Sequence, residues 1–320
     1  MKSQSFIVSR AESGKTVAMV TSARLSRSPR SLRRWFAEQR IHVEGKVCRN
    51  PRRRVHAGQE IRIIAERRDE KDRAKRPLIV YEDKHIVVVN KPAGITTMRH
   101  AYEAAEFGSR AQRFLPRTLA DEVLAYYRRR GLTKPRLYAV HRLDKETSGL
   151  VVFARTKDAE RHLGHQFRLH SVGRLYLAVV RGRAKSQRIA SRIVRDRGDG
   201  RRGSALNPKL GKWAVTHVRV LENLGDYTLV ECRLETGRTH QVRIHLGEQG
   251  TPLCGERVYD RPRHGRPLPD DSGFPRLALH ATYLAIDHPE TGQRMEWTAP
   301  LPADFDRALQ RLRRKAQPKP

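Results

Sequence analysis

The string ERRDEKDRAKR that begins at Glu66 holds one apolar side chain, Ala74, and it divides the chain before any fold is considered. So charged a segment cannot bury enough surface to offset the entropy of ordering it. It reads as a linker at 67–76, and the residues on either side must fold as separate units. The smaller unit, 21–66, opens with a Ser-Pro turn and a basic helix, SRSPRSLRRWF. Short strands follow, with Val43 and Val47 flanking the turn EGK, and Ile61, Ile63 and Ile64 marking a later strand. Leu32, Trp35, Phe36 and Ile41 can share a buried side while Arg33 and Arg34 face outward. Residues 1–20 are polar and aperiodic and read as a flexible basic arm.

The larger unit, 77–301, alternates strands with single helices. LIVYEDKHIVVVNKPAG gives a strand, a turn at Glu82–Lys84, a β-branched strand at 86–89 and a Pro-Gly loop. TLADEVLAYYRRRG (118–131) is a helix with Gly131 as its C-cap. Strands at 137–140 and 149–155 bracket HRLDKETSG, a helix covers 158–172, and 174–182 is a strand. A basic loop spans 183–212, a hairpin with clear alternation occupies 216–237, and 238–250 turns and runs helically. Strands near 277–286 follow, and 302–320 is a C-terminal basic helix, solvated on its charged face, with a tail. Strand runs broken by single helices predict an α+β domain with a mixed, mainly antiparallel sheet.

Charge narrows the partners. Lys and Arg number 66 against 34 Asp and Glu, a formal charge of +32 with a pI near 11.1. Self-repulsion on that scale is relieved by a polyanion, and nucleic acid is the leading choice because phosphate contacts release counterions. An anionic membrane surface is the rival, but no segment approaches the ~18 apolar residues of a membrane-spanning helix, and the first residues lack the apolar core of a signal peptide. Cys48, Cys232 and Cys254 are far apart and odd in number, without a C-x-x-C pair. They predict neither a zinc site nor a disulfide framework, and fit a cytoplasmic setting. His240 and His245 lack the i,i+4 spacing of a helical metal pair. SGKT (13–16) has Ser9 where a phosphate-binding loop requires glycine, and RDRGDGRRG (195–203) lacks calcium-loop spacing.

HRLDKETSGLVVFAR (141–155) carries the chemistry. Asp144 lies in a short loop between strands, where catalytic groups are commonly displayed, and Thr147, Ser148 and Gly149 return the chain tightly into the next strand. In extended backbone Arg142 and Asp144 point the same way, so a cation and an anion face one ligand. A structural ion pair at a strand end is the ordinary account of Arg-x-Asp. A second cationic cluster stands in ETGRTHQVRIH, with Thr239 as helix N-cap. Arg238 or Arg243 can pair with Asp144 and hold it ionised. Tyr176 lies between Leu175 and Leu177, on the opposite face of its strand; aromatic strand residues are usually core, but this phenol can face a cleft.

HRLDKETSG resembles the central motif of the RluA-type pseudouridine synthases, His-Arg-Leu-Asp-x-x-Thr-Ser-Gly. VVVNKPAG (87–94) is similar to that family's first motif, RLYLAVVRG to its tyrosine strand, TGRTHQVRIHL to its third motif, and RLALHATYLAIDHP (276–289) to its C-terminal strand pair. The motifs fall in the family's order, and residues 21–66 resemble the S4 RNA-binding domain. The chain departs from the pattern at ITTMRH after NKPAG and at Glu256, where the family typically carries aspartate. The resemblance implies isomerisation of uridine to pseudouridine in RNA, with no metal or organic cofactor. It matches Asp144 to the aspartate that attacks ribose or base, and Tyr176 to the tyrosine that stacks on the target ring and helps remove its C5 proton. Arg238 matches the cation paired with the aspartate, with Arg243 the second candidate. Arg142 matches the residue that replaces the flipped-out uridine, since a stacked base is out of reach. His141, Thr147, Lys91, Arg33 and Arg34 join Arg142 and Arg243 as RNA-binding candidates. Ribosomal RNA is the expected substrate and transfer RNA the second, for a monomer that needs no membrane. The rival function is a non-catalytic ribosome-assembly factor on the same fold.

Overall fold

Strands β5 (Leu78–Glu82) and β6 (Ile86–Lys91) arise where the β-branched run predicts them, in a computed structural model that describes residues 4–25, 32, 35–36, 40–63, 78–99, 116–262 and 265–317. The chain divides into two units, Met1–Arg73 and Ala74–Pro320. The 67–76 linker, Arg33 and Arg34 lie outside the described residues.

Among the described residues of the second unit the helices are α2 (Leu119–Arg129), α3 (Lys157–Arg168), α4 (Gln241–Glu248) and α5 (Ala303–Ala316). The remaining strands are β7 (Tyr138–Ala139), β8 (Ser148–Ala154), β9 (Gly173–Arg181), β10 (Gln187–Val194), β11 (Gly203–Ser204), β12 (Lys212–Asn223), β13 (Tyr227–Leu234), β14 (Leu279–Asp287) and β15 (Arg294–Thr298). They form one 11-stranded sheet in the order β11-β10-β12-β13-β9-β14-β8-β6-β5, with β15 on β14 and β7 on β8. All its pairings are antiparallel except that of β14 with β8. The sheet is mixed and mainly antiparallel, as expected.

Central strands β6 and β8 are buried on both faces, which is why their sequences run apolar without a polar alternate. Val87, Val89, Val151 and Phe153 pack with Leu119, Val123 and Tyr127 of α2. The intervening Ile86, Val88, Leu150 and Val152 pack with Ala159 and Leu163 of α3. Both helices are well started: Thr118 Oγ1 accepts from Asp121 N at 3.2 Å while Asp121 Oδ2 accepts from Thr118 N at 3.0 Å, and Thr156 Oγ1 accepts from Ala159 N at 3.1 Å. Gly149, second in β8, has φ +116° beside the parallel partner, and a Cβ there would lie 2.2 Å from Ala281 O.

Two expectations fail here. The 183–212 segment is not a loop but carries β10 and β11, with Ile189 and Ile193 buried. Their period-2 pattern is obscured by Ser191, which takes the position between them on that face, and by Arg188 and Arg192, which precede each isoleucine. Nor is the C-terminal helix merely solvated: Phe305, Ala308, Leu309 and Leu312 are buried, and Phe305, Leu309 and Leu312 pack with Val179, Leu229 and Ala278. Among the described residues no helix is long and apolar enough to cross a membrane.

The first unit is a four-stranded antiparallel sheet, ordered β1 (Gln4–Ile7), β4 (Glu60–Ile63), β2 (Ile41–Val43), β3 (Lys46–Val47), with helix α1 (Val17–Leu25). Leu32, Trp35, Phe36 and Ile41 are buried as their spacing predicts. The loose arm expected at 1–20 is corrected over residues 4–20. Gln4–Ile7 pairs with Glu60–Ile63, and Val8, Val17 and Val20 lie in the core. The partner strand is remote in sequence, so no local periodicity announces the pairing.

Candidate active site

Asp144 stands on the loop between β7 and β8, and that loop is fastened from beneath. Thr97 Oγ1 donates to Leu143 O at 2.8 Å and accepts from Leu143 N at 3.1 Å. Gly94 N donates to Lys145 O at 2.8 Å. Lys91 is fully buried, and its Nζ donates to Pro92 O (3.0 Å), Ile95 O (2.8 Å) and Lys145 O (3.0 Å). Lys91 is therefore corrected from an RNA-facing residue to a pin under the candidate catalytic loop. Burial pushes its pKa down to about 7. Three carbonyl acceptors favour the ammonium and oppose that fall.

The loop edges a cavity of about 790 Å³, room enough for a nucleotide. Asp144, 19% exposed at its side chain, meets Arg243 Nη1 at 3.4 Å through Oδ2 and His240 Nε2 at 3.8 Å through Oδ1. The cation left open between two arginines is thus Arg243. Arg238 lines the cavity, but its Nε donates to Trp213 O at 2.8 Å and its backbone N to Gln241 Oε1 at 3.0 Å. The cause is where α4 starts. His240, not Thr239, is the N-cap, in the left-handed conformation at φ 60° and ψ 18°. Arg243 then sits in the first turn, where a helical side chain leans back toward the N-terminus and onto Asp144.

Arg243 is itself held. Its Nε and Nη2 donate to Glu256 Oε2 and Oε1 at 2.7 and 2.8 Å, a bidentate fork. Glu256 Oε1 also accepts from the backbone N–H groups of Arg257 (3.0 Å) and Val258 (2.9 Å). Burial opposes charge on both partners, yet their mutual pairing wins: the Glu256 pKa falls below its ordinary value and that of Arg243 rises. The Arg243 guanidinium also lies 5.2 Å over the Tyr259 ring, and the Tyr259 hydroxyl is 2.7 Å from His240 Nδ1. Burial raises the Tyr259 pKa to about 12, so the phenol keeps its proton, and the His240 tautomer sets which of the two groups donates.

Tyr176, on β9, is 8% exposed and lines the cavity, where its hydroxyl makes no hydrogen bond among the described residues. Burial raises its pKa, so the ring is a neutral phenol. Arg142 is exposed at the cavity's edge and Thr147 is buried in its wall. His141 also lines the wall but is committed inward: Nε2 accepts from Val152 N at 3.0 Å, and the ring stacks on Phe167 at 4.7 Å. Burial drives its pKa to about 3, so it borders the cavity as a neutral ring. Thr97, Tyr259 and Arg174 were not singled out by the sequence; Glu256 drew notice only as a departure from the aspartate pattern.

The sequence profile of the RNA pseudouridylate synthase family matches residues 85–248. A ribosomal large subunit pseudouridine synthase D of Pseudomonas aeruginosa is 38% identical over 288 residues, 87% of this chain and 86% of the relative. Its namesake in Haemophilus influenzae is 36% identical over 291 residues, 88% of this chain and 86% of the relative. Among solved structures, Human RNA Pseudouridylate Synthase Domain Containing 4 superposes with a TM-score of 0.59 at 26% identity, over 74% of this chain and 93% of that one.

Proposed function

The chain belongs to the RNA pseudouridylate synthase family, and from that premise we propose that it isomerises uridines of ribosomal RNA, with Asp144 as the catalytic carboxylate. The isomerase activity is the family's; the ribosomal substrate rests on relatives named as large-subunit enzymes. One observation carries the assignment of the carboxylate: Asp144 is presented to a nucleotide-sized cavity by a rigidly pinned loop, with the Glu256-anchored Arg243 against its inner oxygen. A cation so placed favours the ionised carboxylate that covalent catalysis requires.

In this reading the target uridine leaves its stack and enters the cavity, and Arg142 fills the gap at the edge. Uracil lies against Tyr176, whose open hydroxyl borders the ring and serves removal of the C5 proton. Asp144 attacks, the C1′–N1 bond breaks, the ring turns, and C5 joins C1′. Arg238 contributes to the cavity's positive potential rather than to the ion pair. The first unit, with its own buried core and the similarity of residues 21–66 to S4 domains, serves as a separate RNA-binding module.

Tritium release from RNA carrying [5-³H]uridine tests the proposal. Wild type should release tritium on ribosomal RNA, and Asp144→Ala none, with RNA binding retained. Release by the variant would show that another carboxylate does the chemistry. Tight binding without release by wild type, on ribosomal and transfer RNA alike, would favour an assembly factor.

A further inference from the structure

Arg174 is a buried cation in the cavity wall with no carboxylate partner among the described residues. It is 7% exposed. Its Nη2 donates to Glu235 O at 3.2 Å, its Nε is sealed from solvent without a partner, and Nη1 makes no hydrogen bond among the described residues. The guanidinium lies 5.5 Å over the Phe167 ring, a contact that stabilises charge but gives no acceptor. Burial lowers its pKa, though a guanidinium remains charged at any physiological pH.

Other buried arginines of this unit are ion-paired or more fully hydrogen-bonded, although Arg181 Nε too lacks a partner. Arg197 pairs with Asp199 and Glu248, Arg243 with Glu256 and Asp144, and Arg181 donates to Leu268, Pro269 and Glu256 carbonyls. An unpaired buried charge is costly, and proteins retain such groups mainly where a ligand completes them.

Position says which ligand. Arg174 and Tyr176 are two apart on β9, so their side chains share one face and stand side by side in the cavity wall. The wall is built around the guanidinium, because a Cβ on Gly237 would lie 2.6 Å from Arg174 Nη1. The open donor therefore shares the cavity wall with the Tyr176 ring, the face against which the proposed function lays the base.

We propose that Arg174 is a catalytic residue that donates from Nη1 to a carbonyl oxygen of the bound uracil and stabilises the negative charge the ring acquires as it detaches. The proposal rests on the isomerase reading of this cavity. When the C1′–N1 bond breaks, its electron pair stays with the ring, which becomes uracilate with charge spread over N1 and the carbonyl oxygens. A carboxylate lone pair of Asp144 forms a bond to C1′, and that bond breaks again as C5 attacks. The C5 proton then leaves to a base and N1 gains a proton, so composition is unchanged and no oxidant or reductant is needed. The charge on the ring exists only between bond cleavage and rejoining, so a preorganised cation there accelerates the step.

Single-turnover rates should be measured on one RNA oligomer carrying either uridine or 5-fluorouridine at the target position. Fluorine stabilises the departing anion and lessens the need for the cation. Arg174→Met should slow uridine consumption roughly 100-fold or more, slow 5-fluorouridine consumption by clearly less, and leave RNA affinity within a few-fold. Arg174→Lys, which keeps the charge, should recover part of the loss and show the same preference for the fluorinated ring. It also serves if the methionine variant does not fold. Equal slowing on both nucleosides by both variants would assign Arg174 a structural role and overturn the proposal. A loss confined to RNA affinity would make it a phosphate contact, with the same effect. If wild type consumes neither nucleoside, the isomerase reading itself fails, which the wild-type control reveals separately.

Discussion

Replacing Glu256 with glutamine tests whether Arg243 is aimed by its neighbour or finds Asp144 unaided. The substitution keeps shape and removes charge. Glutamine has one acceptor oxygen, and if it keeps the N–H groups of Arg257 and Val258, its NH2 must face Arg243 Nε at 2.7 Å, donor against donor. Arg243 must then move, with Asp144 as its remaining anion. Breaking a buried, hydrogen-bonded ion pair by altering one partner costs about 3–5 kcal/mol. For a domain of this size each kcal/mol lowers Tm by roughly 2–4 °C, so a fall of roughly 6–20 °C is expected. A shift of about 1 Å in Arg243 should lower kcat about 100-fold while KM for RNA changes little. The Glu256 pKa is lowered on folding from its ordinary 4.5, so its contribution to stability is present above 4.5 and is lost as pH falls through the folded value. The variant should lack that share of the acid-side loss. Calorimetry across pH and tritium release read all three. A Tm within about 2 °C of wild type together with unchanged kcat would refute the reasoning.

Lys91→Met, which takes the Nζ donor from Pro92 O and Ile95 O and leaves Lys145 O with Gly94 N alone, should cost about 2–4 kcal/mol in thermal unfolding and reduce turnover, yet leave RNA affinity in a filter-binding assay within about threefold. Arg243→Lys should lower single-turnover rates about 100-fold, because an ammonium cannot keep both the fork on Glu256 and the contact with Asp144, whereas Arg238→Lys should cost less than about tenfold. Gly149→Ala should destabilise the larger unit by more than about 3 kcal/mol in chemical denaturation, since the methyl would overlap Ala281 O at a backbone angle that L-residues avoid. Removing residues 1–8 should lower the unfolding temperature of the first unit, because it strips β1 from β4.

The sequence disclosed the elements whose signals are local. The β-branched run at 86–89, the capped helix after Thr118 and the loop bearing Asp144 are each written within a few adjacent residues. What it concealed depends on partners far along the chain. Arginine-rich β10 reads as a loop until β12 is seen beside it, and Gln4–Ile7 reads as an arm until Glu60–Ile63 is seen beside it. The choice between Arg238 and Arg243 turns on a single left-handed residue, His240, which sets where α4 begins. Lys91 misled for a related reason. Charge alone suggests solvent or phosphate, and only the convergence of two loops reveals three carbonyls that demand a buried ammonium.

The parallel contact of β14 with β8 has a temporal consequence. In the sheet order, β14 lies between β9 and β8, so it joins the part carrying Tyr176 to the part that presents Asp144. β14 begins at Leu279, downstream of every residue that lines the cavity except Leu279 itself. A ribosome making this chain from the N-terminus therefore finishes the carboxylate, the phenol and both candidate arginines well before it emits the strand that draws them together. A nascent chain that ends before Leu279 lacks the strand that joins the two parts of the sheet.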